Sequence, residues 1–387
     1  MKTAPSNQNH MPQLDGLRAF AVMAVLLHHF LPKAHLQDWA LAGVKLFFVL
    51  SGFLITGILL KSRDIREQTQ TTWVFSIRQF YARRFLRIFP LYYFVIAVAV
   101  IINLEPARQI LPWLLSYTLN FYMAHMGWFV DHFAHFWTLA VEEQFYIVWP
   151  WFILFAPRKW LIPMTIFLIS VAPFFRLYLI LAGTNGLDAY SYTPACFDTL
   201  GMGALLAILS QSINLRVTTT RYLIRWALPI GLVGVVLLVL AETYAVYWQA
   251  NIVLFDFAMA LVFCWLIDSA TRGFMGITGA ILESRPMTYL GKISYGIYVY
   301  HPFMPSMCKY LFEKAGISLP GGWFNFSIYA AATLTVSSLS WYLIEQPINN
   351  FKRYFQYDLS SVSKSKVGNQ VTIHKPGFVF AFGRGEK

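Results

Sequence analysis

The sequence predicts an all-α polytopic integral membrane protein of about ten transmembrane helices, with both termini cytoplasmic. Three observations carry this. The 387 residues are 57% hydrophobic and only 12% charged, about half the charge fraction of an ordinary soluble domain. The apolar residues gather into long runs parted by short polar loops, and runs near twenty residues are long enough to cross a bilayer as helices. Lys and Arg fall unevenly between alternate loops, which sets the orientation. The net charge of +12 therefore belongs to cytoplasmic loops, and no nucleic-acid partner is expected. Cys196, Cys264 and Cys308 are scattered through apolar segments and imply neither a disulfide framework nor a zinc site. No metal is expected.

Met1 to Pro12 is a polar arm. The first apolar run, Ala19 to Leu31, is read as a retained helix because no small-residue cleavage site follows it. Leu41 to Leu60 is the second span. A basic stretch (Lys61, Arg63, Arg66, Arg78, Arg83, Arg84, Arg87) leads into the third, Ile88 to Leu104. Ile110 to Ala124 is apolar but near the lower limit for a span. Phe136 to Phe155, Trp160 to Leu181, Phe197 to Leu209, Trp226 to Ala241, Ile252 to Ile267, Ile293 to Phe312 and Trp323 to Ile344 follow. If Ile110 to Ala124 lies at the outer face, the basic stretch, Arg158/Lys159, Arg216/Arg221/Arg225, Arg272/Arg285/Lys292 and the tail all fall inside. The outside then keeps only Lys33, Arg108, Lys309 and Lys314. If that run crossed, every later loop would invert, so ten spans are expected. Residues 1–348 are read as one transmembrane domain and 349–387 as a basic, flexible cytoplasmic tail. No internal repeat is apparent.

Several polar residues sit where lipid-facing helices do not tolerate them. Arg18 and His29 are eleven positions apart in the first helix, about 16 Å along its axis and nearly on one face. An ionisable residue that far into a membrane helix is a functional candidate, and a neutral imidazole there is a workable general base; a histidine bonded between helices is the plainer reading. Arg83, Arg84 and Arg87 enter the third span. They serve either as positive-inside anchors or as a phosphate clamp, since Arg83 and Arg87 share a helix face and guanidinium groups grip phosphate bidentately. Glu142 and Glu143 open the fourth span from outside, with Thr138 on the Glu142 face. Glu142 is expected to orient or charge-stabilise His29, or else to bridge helices. Ser51-Gly52 permits close helix approach and also suits passage of a narrow substrate arm. Tyr298, His301 and Pro302 place a second histidine near mid-membrane beside a freed carbonyl, where it lines a cavity or packs in the bundle. Arg176, Asp198 and Asp256 are intramembrane or rim charges outside any obvious motif. Glu345-Gln346-Pro347 reads as a structural stop.

In combination these segments resemble the membrane-bound acyltransferase-3 family, whose members O-acylate surface polysaccharides, peptidoglycan, lipids and some small molecules. The resemblance runs from about Gln13 to Pro347. Its Arg-x10-His pattern falls on Arg18 and His29, its Arg-Arg-x-x-Arg pattern on Arg83, Arg84 and Arg87, and its Ser-x-x-x-Glu pattern on Thr138 and Glu142. The Phe-Phe-x-x-Ser-Gly-Phe stretch matches Phe47 to Phe53, and Tyr-x-x-His-Pro matches Tyr298 to Pro302. Thr138 keeps the hydroxyl of the usual serine, whereas Lys45 stands where the family often has an acid. No SGNH-type domain is expected after the tail, so transfer to an external acceptor would finish in the membrane or with a partner.

The resemblance implies an acyl-CoA-dependent O-acyltransferase of a bacterial cytoplasmic (inner) membrane, with acetyl-CoA the usual donor. The expected acceptor is a glycan or lipid-linked glycan, such as exopolysaccharide or O-antigen. His29, Glu142 and Arg18 are the expected catalytic set. Arg83, Arg84, Arg87 and Ser51 are expected to bind the donor, and His301, Tyr298 and Thr138 the substrate. A homo-oligomer is compatible with the sequence. The alternative is a proton-coupled transporter, which also carries intramembrane His and Glu and broken helices.

Overall fold

Pro12 suits the first turn of a helix, where its missing N–H has no partner to lose, and helix α1 runs from it as Pro12–Phe30. The computed structural model describes residues 11–31, 37–126, 130–184, 186–211, 217–243 and 248–355, and among them every regular element is helical. The long helices that follow are α2 (Gln37–Thr69), α3 (Trp73–Ile101), α4 (Phe136–Phe155), α5 (Arg158–Leu181) and α6 (Phe197–Gln211). After these come α7 (Val217–Thr243), α8 (Trp248–Arg272), α9 (Arg285–Tyr300) and α10 (Gly322–Ser340).

Seven helices among the described residues are long and apolar enough to cross a membrane; they fall on α2, α3, α5, α6, α7, α8 and α10. The three that fall short are instructive. α1 and α4 hold Asp15, Arg18, His28 and His29, or Glu142, Glu143 and Gln144, within 19 and 20 residues, while α9 has only 16 residues. The candidate site is built largely on the helices whose polar content lowers their hydropathy.

Several helices outrun the apolar segments that predict them. α2 continues through Arg63 and Arg66 to Thr69 and α3 starts at Trp73, so the expected loop is two helix ends. Hydropathy marks the lipid-contacting part of a helix, whereas backbone hydrogen bonding continues into water. Arg63 donates 2.7 Å hydrogen bonds to the carbonyls of Ile153 and Ala156, satisfying the free end of α4. Ile110 to Ala124 is broken into short helices, Leu111–Leu115 and Leu119–Met126. Gln144 of α4 holds the second of these through the Tyr117 carbonyl (2.8 Å) and Asn120 Oδ1 (2.9 Å). The expected span Ile293 to Phe312 also breaks. α9 stops at Tyr300, a 3-10 turn covers His301–Phe303, and Met304–Lys314 forms a separate helix, because Pro302 and Pro305 lack the donors a continuous ladder needs.

The tightest crossing is α2 on α6. A Cβ on Gly52 would collide with the Leu200 carbonyl, and one on Gly203 with the Val49 carbonyl, so each helix presents its glycine to the other's backbone. Gly52 therefore serves packing, and Ser51 beside it faces elsewhere. α1 packs against both α2 and α9, which places Arg18 and His29 between the helices that carry Ser51 and Tyr298.

Beside this crossing the unassigned charges come together. Arg176 is fully buried and pairs with Asp198 (2.5 Å) and Asp256 (3.2 Å), while Lys45, also buried, pairs with Asp256 (2.5 Å). Two more Arg176 bonds reach the Ala195 and Val253 carbonyls at 2.5 and 2.7 Å. Two cations and two acids from α2, α5, α6 and α8 thus cancel inside the bundle. The three cysteines are free and buried.

Candidate active site

One cavity of about 370 Å³ gathers most of the predicted residues. Arg18 of α1, Ser51 of α2, Arg83, Arg84 and Arg87 of α3, Thr138 and Glu142 of α4 and Tyr298 of α9 all line it, with Val44, Phe47, Phe48 and Leu139 as apolar wall. The arginines enter because α3 starts at Trp73, about four turns before its apolar run at Ile88, and their i, i+4 spacing then points Arg83 and Arg87 the same way.

The cationic end is not uniform. Arg18 is paired with Asp15 at 2.6 Å. Arg83 donates to the carbonyls of Lys352 (3.3 Å) and Phe355 (3.2 Å). Arg87 donates to the Lys292 carbonyl (3.3 Å) and lies 3.9 Å from Glu345. Arg84 rests over the rings of Phe80 and Tyr146 at 6.0 and 5.5 Å, and no carboxylate or carbonyl partner appears for it among the described residues. An excess of cations with unused donors is what a phosphate-bearing ligand requires.

Midway along the wall, Ser51 Oγ donates to Glu142 Oε1 at 2.6 Å. Farther along the lining, the hydroxyls of Thr138 and Tyr298 lie 2.5 Å apart. Tyr298 also donates to the His135 carbonyl at 3.0 Å, and Phe47 packs edge-on against its ring. This bar of hydroxyls forms part of the cavity wall. Behind it lies a group of imidazoles. The His301 ring is 4.8 Å from His29 and 5.3 Å from His135. His29 sits exposed in the last turn of α1, and His301 and His135 are buried.

Two expectations are corrected by this arrangement. His29 is not deep in its helix; α1 starts at Pro12 and leaves the histidine one residue from its end. Glu142 is bonded to Ser51 and not to His29, whose Nδ1 faces the Val25 carbonyl at 2.9 Å. Neither His29 nor His301 lines the cavity. His301 Nδ1 faces the Tyr298 carbonyl at 2.7 Å, so its other nitrogen carries the lone pair, and that Nε2 has no partner among the described residues.

Tyr146, Tyr295, Ser294 and Lys352 line the cavity without having been singled out, and His135 joins the imidazoles. Tyr146 was legible one turn from Glu142. Lys352 was not, because it lies in the segment expected to be a loose tail; Asn350–Tyr354 is a 3-10 turn, and the tail from 356 onward lies outside the described residues. Glu345, read as a structural stop, is buried facing Arg87 at the end of a π-helical turn, Trp341–Glu345. Among the described residues no group of three His, Cys, Asp or Glu is arranged to hold a metal.

A family profile described as an acyltransferase domain matches residues 11–343. The chain belongs to the acyltransferase-3 family. It is similar to the peptidoglycan O-acetyltransferase OatA of Listeria monocytogenes, with 28% identity covering 92% of this chain and 58% of that protein. It is also similar to the O-acetyltransferase OatA of Staphylococcus aureus, with 25% identity covering 94% of this chain and 61% of that protein. The chain thus spans less than two thirds of the curated relatives it matches. No solved structure matches it. Its apolar helices and its family together make it an integral membrane acyltransferase.

Proposed function

We propose that this acyltransferase moves an acetyl group from acetyl-CoA, bound from the cytoplasmic side, to a hydroxyl of a cell-envelope glycan. The observation that carries the reading is a cavity that joins an arginine cluster to Ser51, Glu142, Thr138 and Tyr298. Coenzyme A has phosphates for the cationic end and a narrow arm for the apolar walls. Arg84, with free donors, takes a phosphate most directly, and Lys352 adds a charge at the rim. The exposed His29, beyond the Thr138–Tyr298 bar, takes the proton of an acceptor hydroxyl arriving from the other side. The relatives' printed names favour an O-acetyl product, with peptidoglycan one acceptor class beside exopolysaccharide and O-antigen.

This reading needs ten spans with both ends cytoplasmic, in a bacterial cytoplasmic membrane. It counts α1, α4 and α9 as spans shielded by their neighbours, and leaves Leu111–Met126 at the outer face. The test is acyl transfer from labelled acetyl-CoA in membranes holding the protein or its His29→Ala form, with peptidoglycan and other envelope glycans as acceptors. Label should enter a glycan with the parent and not with the variant at equal expression. Equal label with both removes His29 from the reaction, and no label from any acyl-CoA overturns the donor.

A further inference from the structure

The cavity suited to the donor and the histidine suited to the acceptor do not share a wall: Thr138 and Tyr298 stand between them, their hydroxyls 2.5 Å apart. A single displacement would need both substrates at one carbon across that bar. The cavity itself contains an alternative. Ser51 Oγ is 2.6 Å from Glu142 Oε1, and Tyr146, one turn on along α4, lines the same wall, with the Arg84 guanidinium 5.5 Å over its ring. A hydroxyl within hydrogen-bond reach of a carboxylate that can take its proton is the arrangement of an activated nucleophile. Its position along the cavity fits. Ile58, Ser51 and Val44 all line the wall and are seven residues apart on α2, roughly 10 Å per step. Ser51 is therefore midway along that wall, where an arm anchored by its phosphates brings its acyl group. Gly52 and Gly203 account for the close crossing of α2 and α6, while the Ser51 hydroxyl turns to Glu142.

We propose that Ser51 is the first acceptor of the acyl group, with Glu142 as its base, so that the reaction proceeds through an acyl-serine ester. The inference rests on the donor reading of the preceding subsection. Ser51 Oγ attacks the thioester carbonyl and its proton passes to the Glu142 carboxylate. The C–S bond breaks, and the departing thiolate takes that proton from Glu142 and leaves as coenzyme A thiol. In the second half Thr138 and Tyr298 part, and the acceptor hydroxyl attacks the ester carbonyl while its proton passes to His29. The bond to Ser51 Oγ breaks and that proton returns to the serine. Each cycle moves one acyl group and leaves the protein unchanged.

The experiment uses the full-length His29→Ala protein in detergent, in which the second half is blocked. It is incubated with acetyl-CoA and no glycan, quenched in acid, digested and read by mass spectrometry. One acetyl group on the peptide containing Ser51, with one equivalent of thiol released, is the expected result. The adduct should vanish in the His29→Ala/Ser51→Ala double variant while acetyl-CoA binding persists, and that retained binding shows the variant is folded. Glu142→Gln should slow adduct formation by about 100-fold or more, as loss of a general base does. Ser51→Ala protein that labels glycan at the parent rate overturns the intermediate and leaves the donor reading standing. An acetyl group found on His29 in the parent overturns it likewise. Failure of the parent to bind acetyl-CoA or to release thiol sinks the donor reading and this inference with it.

Discussion

The three adjacent arginines are equivalent in sequence and distinct in structure. Arg83 is committed to the Lys352 and Phe355 carbonyls and Arg87 faces Glu345, while Arg84 lies over two aromatic rings and makes no hydrogen bond or close ion pair among the described residues. Hydrogen bonds to charged groups are worth about 1.5–3 kcal/mol. Arg84→Ala is therefore expected to raise KM for acetyl-CoA by roughly 10- to 100-fold with kcat little altered, as steady-state kinetics would show. Arg83→Ala should instead loosen the Asn350–Phe355 segment, seen as faster proteolysis near Lys352. Tyr298 makes a different prediction. Its hydroxyl bonds Thr138 and the His135 carbonyl, so Tyr298→Phe should loosen this part of the cavity wall. Acetyl-CoA hydrolysis without acceptor should then rise several-fold over the parent, measured as thiol release. Much of this site was legible in the sequence, because Thr138/Glu142 and Arg83/Arg87 declare their shared faces through helical spacing. The partner of Glu142 was not, since Ser51 comes from a helix ninety-one positions away and no spacing rule links the two.

At the scale of elements, the site depends on how closely α2 approaches α6. Gly52 and Gly203 each face a backbone carbonyl of the other helix, and Ser51 is displaced whenever that crossing opens. Overpacking of a close-fitted contact costs about 1–3 kcal/mol. Gly203→Ala should lower the melting temperature in detergent and reduce transfer, while Gly57→Ala on the same α2, where a Cβ meets only Gln211 Nε2 at an ordinary 3.6 Å, should do neither. The positions of the helices were legible from apolar runs, but their ends were not. Runs end where lipid ends, whereas α2 and α3 continue until Gln70 and Thr72, the first with a positive φ and the second capping Phe75. The break at Tyr300 was foreshadowed by Pro302, yet a continuous hydropathy run from Ile293 concealed it.

Over the whole molecule, the least predictable feature is the neutral quartet of Lys45, Arg176, Asp198 and Asp256. Its members lie on four helices, far apart in sequence; Arg176, Asp198 and Asp256 read there as charges outside any obvious motif, and Lys45 as a departure from the family pattern. Removing one member of a buried pair strands its partner, at a cost of about 3–5 kcal/mol. Asp256→Ala leaves Lys45 and Arg176 sharing one acid, and should cut the yield of folded protein and its melting temperature sharply. Replacing Lys45 and Asp256 together by Met and Leu should cost less, because charge balance is kept. A milder single than double substitution would show that the quartet does not act as a unit.

The buried state of Cys196, Cys264 and Cys308 has a practical meaning. No native thiol is presented to a membrane-impermeant maleimide, so the unaltered protein supplies a dark background for labelling. A cysteine introduced in place of exposed Arg108 should then react from outside intact cells, whereas one in place of exposed Arg272 should react only after the membrane is opened. The orientation of the chain is readable one site at a time without first emptying it of sulfur.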